Sequence, residues 1–330
     1  MNFRQRALRL VRRIVGTQML ADILRDTQRS SSLSEGDNGA YQELWRSAAA
    51  EVIDLRRRVA ELEQDRELAV AAYATLNRYG ALALESAEHL RDIVRAQAAE
   101  ATRSMTSLRI RTAHKLADAS PDHLHPRGAA NDNTRSLAFV LACERILGSN
   151  ISVLDLGCAG GGLVLDFVLR NHSAIGIEGS DYPLRHRRGE WTVIPDRLFT
   201  ADLTKQFTIE NNDSALATFS IITAWEVLEH IQESDLAVLL SNVSCHLAEG
   251  GIFVGSVAMY EDTIDDVKWH QTVRPREWWL QKFSSHGFEM TEPVPFAHTE
   301  FCRGSGNGMN DVDFALNPEL GFHFTLMIQK

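Results

Sequence analysis

The stretch Val153-Leu-Asp-Leu-Gly-Cys-Ala-Gly-Gly-Gly162 decides the fold, because an apolar strand in it runs directly into a glycine-rich turn. Residues 163–169, after the turn, are mostly apolar and predict a helix. Glycines at such a turn let the backbone come close to a ligand where a side chain would collide. Strand, turn and helix in this order predict the first unit of an α/β sheet that binds a nucleotide-like cofactor.

Further apolar segments repeat this pattern along the chain. The predicted strands cover residues 152–156, 174–177, 221–224 and 252–257. Helix-like sequence stands between them, and strands that alternate with helices predict a parallel α/β sheet. No internal repeat of solenoid length interrupts this region. Since Pro121, Pro126 and Gly128 mark a break before it, we expect one catalytic domain over residues 121–330.

The glycine-rich segment resembles the first motif of class I S-adenosylmethionine-dependent methyltransferases, in which an acidic residue precedes G-x-G-x-G. This resemblance implies a Rossmann-like fold, with a mostly parallel seven-stranded sheet and helices on both faces, and S-adenosylmethionine as the cofactor. It places Asp155 near the methionine amino end of the cofactor, with Gly157 and Gly161 on the turn. Ala159 departs from the family pattern because it occupies the middle glycine position.

Acidic residues at the next two predicted strand ends agree with the resemblance. Glu178 follows the turn by about 20 residues, where a carboxylate can accept hydrogen bonds from both ribose hydroxyls. Asp202 and Leu203 resemble the family element in which the Asp contacts the adenine amino group and the next backbone N–H contacts the ring. The other interpretation of Asp202 is a helix N-cap. Dehydrogenases share the acidic residue after the second strand but have no counterpart of this third element.

The segment 219–231 is similar to the fourth-strand signature of the small-molecule branch of the family. This similarity implies that Trp225 lies at the cofactor and that Glu226 and His230 lie near the reacting groups. The alternative is that Glu226, Glu229 and His230 only anchor a helix against the sheet. Residues 247–254 resemble the turn and fifth strand that follow, so the motifs keep the family's order.

Residues 268–279 are the first candidate for binding the methyl acceptor, because connections at the carboxyl ends of the strands form the crevice of this fold. His270 lies in this segment and is our choice of general base over His230, since an unperturbed histidine pKa of about 6.5 suits proton transfer near neutral pH. Trp269 suits stacking on a sugar or aromatic acceptor. The loop-like residues 301–311 are the second candidate and could close over the site.

No metal ion is expected, because a sulfonium methyl group is already reactive and needs only alignment and removal of the acceptor proton. The alternative is a divalent-cation site on the C-terminal loop, where carboxylate oxygens could serve as ligands. Its candidate ligands are His298, Glu300, Asp311 and Asp313.

An extension of two parts precedes the catalytic domain. Residues 3–26, within a first region of residues 1–30, predict a basic amphipathic helix that either rests on an anionic membrane surface or docks on the protein's own oligomer. The Ser-, Gly- and Asp-rich residues 30–39 predict a flexible linker. Residues 31–120 as a whole predict a helical oligomerisation region.

Within that region, residues 41–78 carry apolar residues at heptad positions a and d, with Arg66 as the one charged exception. Glu51 at g would face Arg56 at the following e, and Arg58 at g would face Glu63. This charge arrangement favours a parallel coiled-coil dimer. An antiparallel hairpin that folds back near Gly80 is the alternative.

The charge and composition of the chain indicate its cellular compartment and exclude some classes of partner. The net charge of -10 argues against a nucleic-acid partner, and the four widely separated cysteines form neither a CxxC pair nor a zinc cluster. No apolar run reaches the roughly 18 residues of a membrane-spanning helix, and arginines interrupt the N-terminus. We therefore expect a cytoplasmic protein, with contact at the membrane surface if residues 3–26 bind lipid.

The resemblance implies O-methylation of a sugar, a cell-surface polysaccharide or a lipid-linked glycan, since the coiled coil and the basic helix favour work on glycans at a membrane. A quinone or a secondary metabolite is the alternative acceptor. A different class of function is an assembly protein that uses the coiled coil and has little turnover.

Overall fold

The computed structural model describes residues 35–103, 107–307 and 311–329. The chain divides between Glu88 and His89 into two units. The predicted basic helix over residues 3–26 lies outside the described residues. In the described part of the chain, no helix is long and apolar enough to cross a membrane.

One helix, α1, runs from Glu35 to Arg103. It continues through Gly80, so the alternative of a hairpin near this residue is wrong. A single glycine costs a helix interior about 1 kcal/mol, which is too little to break a helix with good helix formers on both sides. Residues 35–39, predicted as linker, are also helical.

The side chains described between residues 53 and 79 are exposed, apart from the half-buried Leu55 and Val59. Leu62, Tyr73 and Leu76, on the predicted a and d positions, are each about two-thirds exposed. The coiled-coil dimer stays a prediction.

The unit from His89 onward is built on a seven-stranded sheet. Its strands in chain order are β1 Ser152–Leu156, β2 Ser173–Glu178, β3 Leu198–Thr200, β4 Phe219–Trp225, β5 Leu247–Ala258, β6 Phe288–Met290 and β7 Gly321–Ile328. The order across the sheet is β6-β7-β5-β4-β1-β2-β3. Strands β1 to β5 pair in parallel, whereas β7 enters antiparallel between β5 and β6. The predicted fold class and the four predicted strands are therefore confirmed.

Helices cover both faces of this sheet. After α1 they are α2 Pro121–Leu124, α3 Gly128–Asn131, α4 Leu137–Leu147, α5 Gly162–Leu169, α6 Tyr182–Arg185, α7 Leu236–His246 and α8 Arg276–Ser285. Side chains of β1 alternate between the faces, as the two-residue period of a strand requires. Leu154 and Leu156 belong to the core with α7 and α8, and Val153 belongs to the core with α4 and α5.

This unit begins well before the predicted domain boundary at residue 121. Ala98 near the end of α1 is fully buried in the core that contains α4 and α5. Residues 109–111 form a short strand that pairs antiparallel with residues 208–210. A second short pair joins residues 263–264 to 267–268 after β5.

Candidate active site

The glycine-rich turn after β1 adopts left-handed backbone conformations. Gly157, Ala159 and Gly161 have φ angles of 70°, 43° and 84°. This conformation is unfavourable for alanine, which explains why the family pattern has glycine here. In this chain the N–H of Ala159 donates to Glu178, and the Ala159 carbonyl accepts from the indole of Trp191, at 2.8 Å. Two hydrogen bonds thus hold Ala159 in the conformation that glycine adopts at no cost.

Glu178 closes β2 with a buried carboxylate. Its Oε2 accepts from Ala159 N at 2.9 Å, and its Oε1 accepts from Ser180 N at 3.0 Å. Burial raises the pKa of Glu178, and the backbone hydrogen bonds partly counter this rise. Each carboxylate oxygen has two lone pairs, so both retain capacity to accept from a ligand.

Asp155 lies in the middle of the same edge and is also buried. Its Oδ1 accepts from the hydroxyl of Thr223 on β4 at 2.7 Å. Burial raises the pKa of Asp155 to about 7, and the charge of Glu178 adds to the rise. A cationic ligand beside Asp155 would favour the ionised carboxylate again.

The carboxylate of Asp202 is partly engaged within its own turn. Its Oδ1 accepts from the backbone N–H and the hydroxyl of Thr204, at 2.9 and 2.6 Å. These bonds form an Asx-turn rather than the helix N-cap that was the alternative to an adenine contact, because residues 201–207 contain no helix. Asp202 and Leu203 are both buried, and their contact with adenine stays a prediction.

Trp225 ends β4 and lies half-buried against Phe139 and Phe301, with ring centroids 5.1 and 6.1 Å apart. Its indole Nε1 is buried and has no hydrogen-bond partner among the residues that the structure describes. A buried donor without an acceptor is costly, so this atom is a candidate for contact with a ligand.

Three candidate reaction residues meet at the carboxyl end of β4. Glu226 follows the strand with a φ of 52° and lies 3.4 Å from Arg303, measured from Oε2 to Nε. His230 lies in a short 3-10 turn over residues 228–230, not in an α-helix. The His230 and His270 rings are 5.0 Å apart, edge to face. The structure therefore brings together side chains that are far apart in sequence.

The two histidines have opposite electrostatic environments. His230 Nδ1 lies 2.9 Å from Asp122 Oδ2. Burial opposes the charge of His230, but the bond and the charge of Asp122 outweigh it and raise the pKa to about 9. His270 donates its Nδ1–H to the carbonyl oxygen of Tyr260 at 2.6 Å, and burial lowers its pKa. At neutral pH, His230 is charged and His270 is neutral.

Glu229 holds the loop that carries His270. Its side chain is fully buried, and Oε1 accepts from the N–H of Ala258 at 2.8 Å. Its backbone carbonyl accepts from the N–H groups of Gln271 and Thr272 at 2.7 and 2.9 Å. Burial raises the pKa of Glu229 to about 7. Glu229 therefore anchors its segment against the sheet, which was the alternative to a role in the reaction.

Sequence reasoning assigned no part of the site to the segment 112–136, in which it identified only the break at residues 121–128 where the predicted domain begins. Its backbone bonds reach the ends of β1, β2 and β3 and join Asp132 O to Gly160 N, Ala117 N to Gly179 O, and His114 O to Asp202 N. Its Asp122 reaches the turn after β4. A Cβ atom on Gly160 would lie 2.4 Å from Asn133 Oδ1, so this glycine is required by the segment itself. The available signal was the adjacent glycines 160–162, more than the family motif needs.

The C-terminal loop contributes Arg303 to the site, and its described residues form no metal centre. His298 pairs with Asp313 at 2.8 Å, Glu300 pairs with Arg145 at 2.8 Å, and Asp311 accepts from two backbone N–H groups. No group of three potential metal ligands occurs among residues 35–103, 107–307 and 311–329. The alternative cation site is therefore not assembled here.

Trp269 is only 5% exposed, with the Arg127 guanidinium 5.7 Å from the centre of its ring. Arg127 therefore lies over one face of the ring, and stacking of an acceptor on Trp269 stays a prediction.

Comparison with known proteins gives a family match for this unit. Residues 124–293 match the family described as "Methyltransferase domain". No curated protein sequence matches the chain significantly.

Solved structures with a similar fold include three methyltransferases. The glycopeptide N-methyltransferase MtfA complexed with sinefungin has 16% identity and a TM-score of 0.41, covering 59% of this chain and 94% of its own. An S-adenosylmethionine-dependent methyltransferase from Clostridium acetobutylicum ATCC 824 has 14% identity and a TM-score of 0.42, covering 61% and 94%. The StiE O-MT has 18% identity and a TM-score of 0.37, covering 58% and 73%.

Proposed function

The chain belongs to the methyltransferase family whose model spans just over half of its length, and on that premise we propose that it methylates a hydroxyl oxygen of a sugar-containing acceptor. It is an S-adenosylmethionine-dependent enzyme of this family. When bound, S-adenosylmethionine supplies a methyl group made electrophilic by a positive sulfonium.

The carboxyl edge of the sheet has the groups that such a cofactor needs. Glu178 combines a buried carboxylate with free lone pairs, which suits two ribose hydroxyls. Asp155 is the acidic residue beside the turn and would hold the amino group of the methionine part. The unpartnered Nε1 of Trp225 is a donor available to a ligand. These features fit the cofactor, and its contacts with these residues are part of the proposal.

The geometry of His270 carries the proposed reaction. Its Nδ1–H is held by the carbonyl of Tyr260, so the tautomer is set and Nε2 has the free lone pair of a base. Its lowered pKa keeps it neutral near pH 7, ready to accept a proton. His270 would remove the proton of the acceptor hydroxyl and release it to water after methyl transfer. His230, which is charged, is unsuited to that task and would instead orient the acceptor.

Polar groups around this base favour a polyhydroxylated acceptor over a quinone. His230 and Tyr260 lie beside His270, and the paired Glu226 and Arg303 lie close enough to Tyr260 to affect its pKa. Each of these side chains can donate or accept hydrogen bonds. A site that pairs acceptor hydroxyls with its own polar groups disfavours an apolar ring, which would leave those groups unpaired. A sugar, a cell-surface polysaccharide or a lipid-linked glycan fits this chemistry.

Two measurements test the proposal. Calorimetry with S-adenosylhomocysteine and S-adenosylmethionine should give saturable heat, whereas an assembly protein without a cofactor site would give none. Incubation with cofactor carrying a radiolabelled methyl group should label the glycan or glycolipid fraction of the source cells. Label in the quinone fraction alone would replace the proposed acceptor with the alternative one.

A further inference from the structure

Asp122 stands apart from the other reaction residues because it comes from before the sheet. It lies in α2, whose N-cap Ser120 accepts from the Asp122 N–H at 3.2 Å. Its carboxylate reaches His230, 108 residues later in the chain, with Oδ2 and Nδ1 2.9 Å apart. Both side chains are about one-quarter exposed, so the pair lies at the wall of the crevice.

His230 in turn faces His270, with ring centroids 5.0 Å apart and ring planes at 77°. His270 is fixed on its other side by the carbonyl of Tyr260. The groups therefore form a row from the Asp122 carboxylate through both imidazoles to a backbone carbonyl. Only the first member of this row comes from the segment 112–136.

The charges around the two rings act in opposite directions. His230 is faced by Asp122, Glu229 and Glu226, which all favour its charged form. Burial is the largest cause of the lowered pKa of His270, and the hydrogen bond to Tyr260 opposes it. The charged His230 also lowers this pKa, and Asp262 and Asp122 each raise it by a smaller amount. Tyr260 contributes its backbone carbonyl. Because one imidazolium disfavours a second one nearby, a charged His230 adds to the effect of burial in favouring the neutral form of His270.

From this row of contacts we infer that Asp122 is a positioning residue: its hydrogen bond fixes the ring of His230 and holds it as an imidazolium beside His270, the proposed base. The inference rests on the proposed function, in which His270 is the base. The contact of Asp122 with His230 requires that the segment 112–136 lie across the strand ends. Asp122 itself does not contact the reacting atoms.

Histidine titration by NMR tests this role without knowledge of the acceptor. The full chain carries ¹³C-labelled histidine, and His230→Gln and His270→Gln variants identify the two signals. In Asp122→Asn, the titration midpoint of His230 should fall by about one pH unit or more, because the imidazolium loses its anionic partner. The matched control is Asp118→Asn, since Asp118 is exposed and lies near His123, at 3.8 Å, rather than near His230. It should change neither midpoint.

Calorimetry with S-adenosylhomocysteine shows whether each variant is folded, and Asp122→Glu provides a second test. A glutamate keeps the charge, so the His230 midpoint should return to more than halfway to that of the wild type. An unchanged His230 midpoint in Asp122→Asn, or a shift that Asp122→Glu does not reverse, would overturn the inference. Methyl transfer that persists in His270→Gln would instead refute the proposed base, whatever the Asp122 titrations show.

Discussion

The carboxylate of Glu178 and the backbone N–H of Ala159 form a 2.9 Å hydrogen bond that ties the end of β2 to the glycine-rich turn after β1. One side chain thus shapes the turn and faces the place proposed for the ribose. Glu178→Ala should weaken S-adenosylhomocysteine binding more than tenfold, since hydrogen bonds to a charged group contribute about 1.5 to 3 kcal/mol each. Isothermal titration calorimetry measures the change.

The control for this substitution is Glu289→Ala, at an exposed position on β6 that should leave affinity unchanged. The affinity of Glu178→Gln for S-adenosylhomocysteine should lie between those of Glu178→Ala and Glu289→Ala, because one acceptor oxygen remains. Wild-type affinity in Glu178→Ala would place the ribose elsewhere.

His270→Gln should lower the rate of methyl transfer by about a hundredfold or more and leave cofactor affinity intact, as expected for loss of a general base. His125→Gln, at an exposed histidine of the same segment as Asp122, should retain full activity. Label transfer at saturating cofactor measures the rates. Full activity in His270→Gln together with loss in His230→Gln would reverse the assignment. Activity in both would indicate an acceptor that needs no protein base, such as an amine.

Glu229→Gln should make the protein more stable at pH 8, because Glu229 is fully buried and its Oε2 has no hydrogen-bond partner among the described residues. The folded pKa of about 7 exceeds the ordinary value of 4.5, so the folded state favours the protonated form. The stability that the protonated Glu229 contributes is fully present below pH 4.5 and is lost as the pH rises through about 7. A glutamine cannot ionise, so the free energy of unfolding of Glu229→Gln at pH 8 should exceed that of the wild type by on the order of 2 to 3 kcal/mol.

Urea unfolding at pH 5 and pH 8 checks this difference. Glu249→Gln, at an exposed glutamate, should give the same change with pH as the wild type. A Glu229→Gln variant that loses as much stability as the wild type between the two pH values would show that Glu229 is ionised at no cost in the folded protein.

Leu62→Glu combined with Leu76→Glu should convert a dimer into a monomer in the full chain, because both residues lie on d positions that a partner helix would bury. Multi-angle light scattering measures the mass. The control is Gln64→Glu combined with Ala71→Glu, which adds the same charge at exposed f positions. The intrahelical ion pair of Arg57 with Asp54 lies on f and c, away from the seam. A monomeric wild type, or a dimer that persists in the first variant, would refute the coiled coil.

Much of the sheet could be predicted because its signals are local. The apolar runs of β1, β2, β4 and β5 show where strands lie, and the glycines after β1 show where the chain turns. Strands β6 and β7 were expected only from the family resemblance. Their positions depend on pairing across the sheet, where β7 inserts between β5 and β6.

The sequence by itself determined the sheet class, the turn and the presence of Glu178, His230 and His270 near one edge, because periodicity, glycine content and motif order are properties of neighbouring residues. The tertiary structure decided the protonation of the two histidines. A partner 108 residues away, Asp122, sets the charge of His230 against the effect of burial, and a carbonyl of Tyr260 sets the tautomer of His270. Such effects depend on distances in space, which a linear pattern does not contain.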